Sequence, residues 1–122
     1  MQKENQKGYK RLIVWQRADE LAFRIYLATK RFPKEEMFGL ISQMRRAALS
    51  VPANIVEGYS RTSKKEKVQF YNIAKGSLTE LEYYLDFSRK LNYLNNNQYY
   101  LLIELRSEVG RLLNGFINSV IR

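Results

Sequence analysis

Four stretches of this chain carry apolar residues at intervals of three and four, the spacing that places them on one face of a helix. The spacing predicts helices over residues 14–31, 35–57 and 63–92, and a fourth from the asparagine-rich link at 92–97 to residue 122. No stretch alternates apolar and polar residues as a half-buried strand does. Because the links are short, successive helices should run antiparallel. The pattern therefore predicts an all-α, up-down-up-down four-helix bundle over residues 12–122.

Several residues mark where the expected helices begin, bend and end. Ser63 and Glu66 have the spacing of a capping box, in which the serine oxygen and the glutamate side chain satisfy two free amides. An asparagine shortly before Gln98 can cap the fourth helix. Gly58 suits a left-handed cap at the end of the second helix. Pro52 lies inside that helix, where we expect a kink rather than an end because the apolar spacing continues beyond it.

The composition excludes most kinds of active site. A chain of 122 residues is about one domain, long enough to bury a core without disulfides or a metal. It contains neither cysteine nor histidine, which excludes thiol nucleophiles, imidazole bases, disulfides and the usual zinc sites. A di-metal site in a helical bundle uses a Glu-x-x-His element, which also needs histidine. We therefore predict a protein that is not an enzyme and that holds no cofactor or metal.

The charge balance favours polyanionic partners. Lysine and arginine number 21 against 12 aspartate and glutamate residues, which gives a net charge of +9. Such an excess on a small protein attracts nucleic acids and acidic surfaces. Three interpretations stay open: binding to nucleic acid, binding to an acidic protein, and a contribution to solubility alone.

We expect residues 1–11 to form a flexible basic arm, because they are polar and carry Lys3, Lys7, Lys10 and Arg11. The arm has no apolar core, so it does not resemble a secretory signal. No later stretch reaches the roughly 18 consecutive apolar residues of a membrane-spanning helix. The absence of cysteine agrees with a reducing compartment. We therefore expect a cytoplasmic protein.

A polar stripe interrupts the apolar surface of the second helix. Its members fall within an arc of about 80° at 100° per residue. They are Gln43, Arg46, Ser50, Asn54 and Glu57. The helix also has an apolar band that faces the core. A second apolar flank lies roughly 100° further round the helix and is formed by Phe38, Leu49 and Val56.

A surface helix of a single bundle needs only one apolar band. The second helix is therefore either a core helix with polar residues at its edge, or a helix that another subunit also covers. Under the second interpretation the apolar flank forms an oligomer interface. The polar stripe is either a structural or subunit-interface hydrogen-bond network, or a contact for a ligand or nucleic acid.

Basic residues cluster near the start of the third helix and on the arm. Free backbone amides and the helix dipole at a helix start also favour an anion such as phosphate. The arm can follow a phosphate backbone by counterion release without reading bases. The predicted nucleic-acid-binding residues are Arg61, Lys64, Lys65 and Lys67 at the helix start, Lys7, Lys10 and Arg11 on the arm, and Arg45 on the second helix. The alternative is a solvated helix start, with Glu66 offsetting part of the charge.

Two further sets of residues are candidates for contacts. Lys30, Arg31 and Lys34 form a third basic cluster at the first interhelix link. Nine tyrosines are many for this length, and exposed ones can stack on unpaired bases. The candidates for surface or interface positions are Tyr59, Tyr83, Tyr93, Tyr99 and Tyr100.

Motifs along nearly the whole chain resemble those of one known family. They are the opening run 12–18, the link 32–36 with 38–40, the run 43–48 continuing through 54–58, and the run 76–82. Together they resemble the bacterial four-helix bundle family called 23S rRNA intervening sequence proteins. The resemblance implies a small four-helix protomer, often assembled as a ring-shaped homopentamer, with members encoded inside insertions in large-subunit rRNA genes.

A related branch is similar to the accessory variability protein of diversity-generating retroelements, a basic pentamer that binds a reverse transcriptase and nucleic acid. We therefore expect a non-catalytic bundle that binds RNA or other nucleic acid through the basic surfaces of a homo-oligomer, in which several weak contacts combine. The alternative is a protein-interaction scaffold that binds an acidic partner such as a reverse transcriptase or another polymerase.

Overall fold

The computed structural model describes residues 8–122, which form four α-helices and no strand. The helices are α1 (Ile13–Thr29), α2 (Leu40–Tyr59), α3 (Lys64–Lys90) and α4 (Asn96–Ile121). Two short 3-10 helices, Gly8–Arg11 and Lys34–Glu36, precede α1 and α2. Each α-helix packs against two neighbours, including α1 against α4, so the four close into a bundle. The predicted all-α four-helix bundle is confirmed.

One apolar core runs the length of the bundle. Fully buried members from the four helices are Leu21, Ile25, Met44, Ile55, Leu81, Leu85, Val109 and Leu113. Burying one such side chain contributes about 1.5–3 kcal/mol, so the amphipathic faces hold the helices together. Because each helix keeps a polar face, no helix in the described part of the chain is apolar enough over a sufficient length to cross a membrane.

The second helix begins later than the spacing predicts. Its start was expected at residue 35, but residues Lys34–Glu36 form a separate 3-10 helix and α2 starts at Leu40. Gly39 has a non-helical backbone (φ −114°, ψ −109°), and the Glu36 carboxylate accepts a hydrogen bond from the Leu40 backbone N–H at 3.3 Å. Phe38 therefore lies in the turn before α2 and shares no helical face with Leu49, which corrects the prediction of one continuous flank.

Pro52 is buried and helical, so α2 continues through it as predicted. Gly58 is also helical rather than left-handed, since α2 runs on to Tyr59. The predicted left-handed cap at Gly58 is wrong. A Cβ at this position would lie 2.5 Å from Cε1 of Tyr71, so the residue is small because a neighbouring ring occupies the space.

The two predicted N-terminal caps are present. The Ser63 hydroxyl oxygen accepts a hydrogen bond from the Glu66 backbone N–H at 3.1 Å, but the Glu66 side chain does not bond back to the Ser63 amide, so only half of the predicted capping box is formed. At α4, Asn95 and Gln98 form the complete reciprocal box, with bonds of 2.8 and 2.9 Å. These bonds satisfy amides that a helix start otherwise leaves unpaired.

Residues Gly8–Arg11, within the predicted arm, form a 3-10 helix. The rings of Tyr9 and Trp15 pack edge to face with centroids 5.0 Å apart. The Gln16 side-chain amide donates to the Lys10 carbonyl at 2.8 Å. These contacts fold residues 8–11 onto the start of α1. The rest of the predicted flexible arm, residues 1–7, lies outside the described residues.

Candidate nucleic-acid interface

The alternating helix directions bring four chain segments to one end of the bundle: the start of α1, the end of α2, the start of α3 and the end of α4. The Lys64 ammonium donates to the Arg122 backbone oxygen at 3.0 Å. The rings of Tyr71 and Phe116 lie 5.0 Å apart between centroids. We call this region the basic end. Its positive residues are Lys10, Arg11, Arg61, Lys64, Lys65, Lys67 and Arg122. Six predicted nucleic-acid-binding residues thus meet at one end.

Few negative charges offset the basic end. Among the residues described there, Glu57 and Glu66 are the carboxylates. Glu57 is paired with Arg61, with 2.7 Å between Oε2 and a guanidinium nitrogen. Glu66 lies exposed in the first turn of α3. Seven cations against two carboxylates leave a strongly positive surface, which attracts anions.

Two of these cations are held against the end of α2. The Lys67 ammonium donates to the Tyr59 carbonyl at 2.9 Å and lies 5.5 Å from the centroid of the Tyr59 ring. The Arg61 guanidinium lies 4.8 Å from the centroid of the Phe70 ring. Positive groups next to a helix C-terminus are favourable because the last carbonyls carry partial negative charge. Arg61 and Lys67 therefore also stabilise the α2–α3 turn.

Three further cations of the basic end extend into solvent. Lys10, Arg11 and Lys65 are exposed, and Lys65 belongs to the first turn of α3, where backbone amides point outward. A phosphate placed there gains from the side-chain charge and from the helix dipole together.

Two predicted residues do not belong to this group in the described structure. Lys7 lies outside the described residues. Arg45 lies toward the other end, near the start of α2. Its Nε donates to the Thr29 hydroxyl at 2.9 Å, and its guanidinium carbon lies 4.6 Å from the centroid of the Tyr26 ring. Arg45 therefore secures the last turn of α1, a long-range contact that local spacing does not reveal.

The polar stripe of α2 borders α3. The Ser77 hydroxyl donates to the Ser50 hydroxyl oxygen at 2.7 Å, and the Asn54 amide donates to the same oxygen at 2.9 Å. These bonds join the two helices through polar groups. Gln43 and Arg46 are exposed and line a polar notch of about 150 Å³ beside this network. The use of the stripe by another subunit or by a ligand stays a prediction.

The apolar flank is only partly exposed, and it is wider than the sequence suggests. The exposed fraction is 94% for Phe38 and 48% for Leu49, whereas Val56 is half-buried. Sequence analysis missed Phe23 and Leu27, which line a groove with Leu49 between α1 and α2. Phe23 and Leu27 are four residues apart, on the side of α1 opposite its buried residues. Two large apolar residues at this spacing outside the core face are the sequence signal that would have identified them. We call Phe23, Leu27 and Leu49 the α1–α2 patch.

The pKa shifts resolved among the described residues do not bring a side chain toward neutrality. A hydrogen bond from Arg17 to Glu108 raises the pKa of Arg17, and burial raises the pKa of Tyr71. A general acid or base needs a pKa near the working pH, and both shifts lead away from neutrality. Within residues 8–122, no three acidic side chains come together in a group that could hold a metal ion.

Comparison with known proteins identifies the family. Residues 10–115 match the family described as 23S rRNA-intervening sequence protein. The chain belongs to this family. The matched residues of this 23S rRNA-intervening sequence protein include Lys10, Arg11 and the basic residues at the start of α3, and they stop before Arg122. The resemblance inferred from the sequence motifs is confirmed.

Six chains of solved structures are also similar to this 23S rRNA-intervening sequence protein. One is the crystal structure of a protein with unknown function from the S23 ribosomal protein family of Bacteroides thetaiotaomicron VPI-5482. It shares 27% sequence identity with this chain, superposes with a TM-score of 0.80, and the match covers 87% of this chain and 96% of that one. No curated protein matches this chain. None of these descriptions names a catalytic activity.

Proposed function

We propose that this 23S rRNA-intervening sequence protein is a non-catalytic RNA-binding protein that contacts the phosphate backbone through its basic end. The observation that carries the proposal is the convergence at one end of positive residues from three separate stretches, 10–11, 61–67 and Arg122, against two carboxylates in the described part of that end. The family name, which refers to 23S rRNA, supports structured RNA as the polyanion.

Binding of this kind is electrostatic and largely independent of base sequence. Each phosphate that a lysine or arginine neutralises releases condensed counterions, and the affinity then falls as the salt concentration rises. Lys65 and the first-turn amides of α3 that Ser63 leaves free are suited to one phosphate, and Lys10 and Arg11 to others. The shape of the RNA would then provide more specificity than base contacts.

We further propose that the protein acts as a homo-oligomer, a pentamer as the family resemblance implies. The support is the α1–α2 patch, in which Phe23, Leu27 and Leu49 keep 59%, 43% and 48% of their surface exposed, together with the exposed Phe38. Contiguous apolar surface of this kind is typical of contact sites. Several copies of a weakly binding basic end on one particle would raise the overall affinity by increasing effective concentration.

A pair of matched double variants tests the RNA-binding proposal. Lys10→Glu with Lys65→Glu reverses two exposed charges at the basic end. Arg24→Glu with Lys75→Glu reverses two exposed charges on α1 and α3 away from the basic end, so the net charge of both variants is the same. Filter binding to structured 23S rRNA fragments should weaken strongly for the first variant and much less for the second. Equal weakening of both would show that overall charge, and not the basic end, determines affinity.

Nuclease treatment before purification separates RNA binding from the alternative scaffold hypothesis. A partner bridged by RNA is lost on treatment, whereas an acidic protein bound directly stays with the bundle. Retention of an acidic protein, combined with no measurable affinity for RNA, would replace the proposed function by the scaffold hypothesis.

A further inference from the structure

Two tyrosines and an arginine form a compact cluster at the end of the bundle opposite the basic end. The guanidinium carbon of Arg89, in the last turn of α3, lies 4.5 Å from the centroid of the Tyr99 ring and 5.2 Å from that of Tyr100. The two rings, in the first turns of α4, lie 5.2 Å apart at an angle of 74°. The three side chains thus form one cluster, in which a cation contacts two rings that pack edge to face.

The inner part of this cluster is fixed by a further contact. The Tyr99 hydroxyl donates to the Asp86 carboxylate at 2.5 Å. Because Asp86 also lies on α3, this bond ties the start of α4 to the last turns of α3. Asp86 keeps its negative charge, which the two cations Arg89 and Lys90 outnumber beside it. The Tyr100 ring packs against Arg89 and Tyr99.

Core packing does not explain Tyr100. It keeps 53% of its surface exposed, and the residues that follow on the outer face of α4, such as Glu104, Arg111 and Asn114, are polar and exposed. The neighbouring Leu101 instead lines the groove between α1 and α4. Tyr100 therefore lies on a polar surface, in contact with Tyr99 and Arg89 and with solvent-accessible area remaining.

A shallow cleft of about 340 Å³ adjoins the cluster, lined by Asp86, Arg89, Lys90 and Tyr99. Lys90 is exposed. We propose that this cluster is a second RNA contact, in which an unpaired base stacks on Tyr100 while Arg89 and Lys90 face the adjoining phosphate. The proposal rests on the proposed RNA-binding function and adds a preference for unpaired nucleotides to it.

The preference follows from what a stacking surface can reach. Bases in a duplex are already stacked on one another, whereas unpaired bases in loops and ends can stack on tyrosine and arginine side chains. Stacking of this kind tolerates any base, because every base has an aromatic face. The basic end and the tyrosine cluster would therefore contribute differently, the first to any phosphate backbone and the second to single-stranded segments only.

Fluorescence anisotropy with two labelled RNAs, an oligoadenylate and a duplex of equal length, tests the proposal. Tyr100→Leu should weaken binding of the oligoadenylate by roughly 5- to 150-fold, the range for one lost base stack, and leave duplex binding unchanged. Tyr100→Phe, which keeps the ring, should bind both RNAs as the unaltered protein does. Tyr83→Leu is the matched control, since Tyr83 is 61% exposed on α3 and lies next to Phe87 rather than Arg89.

The outcomes separate this inference from the proposed function. If the double variant Lys10→Glu with Lys65→Glu weakens binding of both RNAs but Tyr100→Leu weakens neither, the basic end stands and the stacking site is refuted. A titration with AMP, followed by NMR of the tyrosine ring protons, tests stacking even if no RNA binds. Upfield shifts of the Tyr100 ring signals, identified by their loss in Tyr100→Leu, are expected, and unchanged signals would overturn the inference.

Discussion

The ring of Tyr71 occupies the space beside Gly58 where any larger residue would place its Cβ. A Cβ added to Gly58 would lie 2.5 Å from Cε1 of Tyr71 and 3.0 Å from the carbonyl oxygen of Lys67. Because Lys67 in turn bonds the Tyr59 carbonyl, this close approach sets how the end of α2 meets the start of α3. The geometry of the basic end thus depends on one glycine.

Replacing that glycine should destabilise the protein. Gly58→Ala forces the Tyr71 ring or the α2–α3 turn to move, which we expect to lower the free energy of unfolding by about 1–3 kcal/mol. Gly76→Ala is the matched control, since Gly76 is also helical but a Cβ there meets nothing within 4 Å. It should raise the free energy of unfolding by about 0.5–1 kcal/mol. Urea denaturation of both variants measures the difference, and equal effects would refute the packing argument.

Arg45 should matter for stability more than for RNA binding. Arg45→Met removes the bond to the Thr29 hydroxyl and the cation over Tyr26, and we expect a loss of about 1–2 kcal/mol in the free energy of unfolding. Arg24→Met removes the same charge from an exposed pair with Glu20 and should change stability by about 0.5 kcal/mol or less. Thermal unfolding compares the two. A larger loss for Arg24→Met would contradict the role assigned to Arg45.

The apolar flank of α2 predicts the effect of adding charge. Leu49→Glu or Val56→Glu should convert the oligomer to monomers while helicity is retained, because a charge there prevents burial against another copy but reaches water in a single bundle. Light scattering and circular dichroism measure the two properties. Leu101→Glu, at a residue that is 73% exposed on α4, should leave the oligomer intact. If the unaltered protein already scatters as a monomer of 14.5 kDa, the assembly proposal fails.

The hydrogen bond between Tyr93 and Glu36 should make the stability of the protein depend on pH in the alkaline range. The Tyr93 hydroxyl donates to the Glu36 carboxylate at 2.9 Å, and this bond raises the pKa of Tyr93 above the ordinary tyrosine value of about 10. A raised pKa in the folded state means that the stabilisation is present below pH 10 and is lost as the pH rises through the folded-state pKa. The melting temperature of Tyr93→Phe should therefore be lower than that of the unaltered protein at neutral pH. The gap should narrow above pH 10, and a constant gap would contradict the assignment.

The helices, their caps at Ser63 and Asn95, and the core could be predicted because each depends on residues close together in sequence. The start of α2 could not be predicted. A short 3-10 helix ends at Glu36, Gly39 has a non-helical backbone, and α2 begins one residue later, so the break lies within four residues. Gly58 was misinterpreted because the sequence does not show that Tyr71 lies against it.

The candidate site shows the same division between local and long-range information. Sequence alone located separate basic clusters, including the one that contains Lys65 and the one that contains Lys10. Their meeting at one end is a consequence of helix direction and of packing between distant segments. Arg45 was grouped with them because its charge is visible in the sequence, whereas its bond to Thr29 is not. Tertiary contacts decide which charges are available to a partner and which hold the fold together.

The salt dependence of RNA binding tests the central claim most directly. Binding of a structured 23S rRNA fragment should weaken linearly on a plot of log affinity against log salt concentration, because released counterions drive association. Replacing Lys10 and Lys65 together by glutamine should make that slope shallower by roughly two, about one for each lost phosphate contact. A slope that is flat for the unaltered protein, or that is unchanged in the variant, would show that the basic end does not bind the RNA backbone.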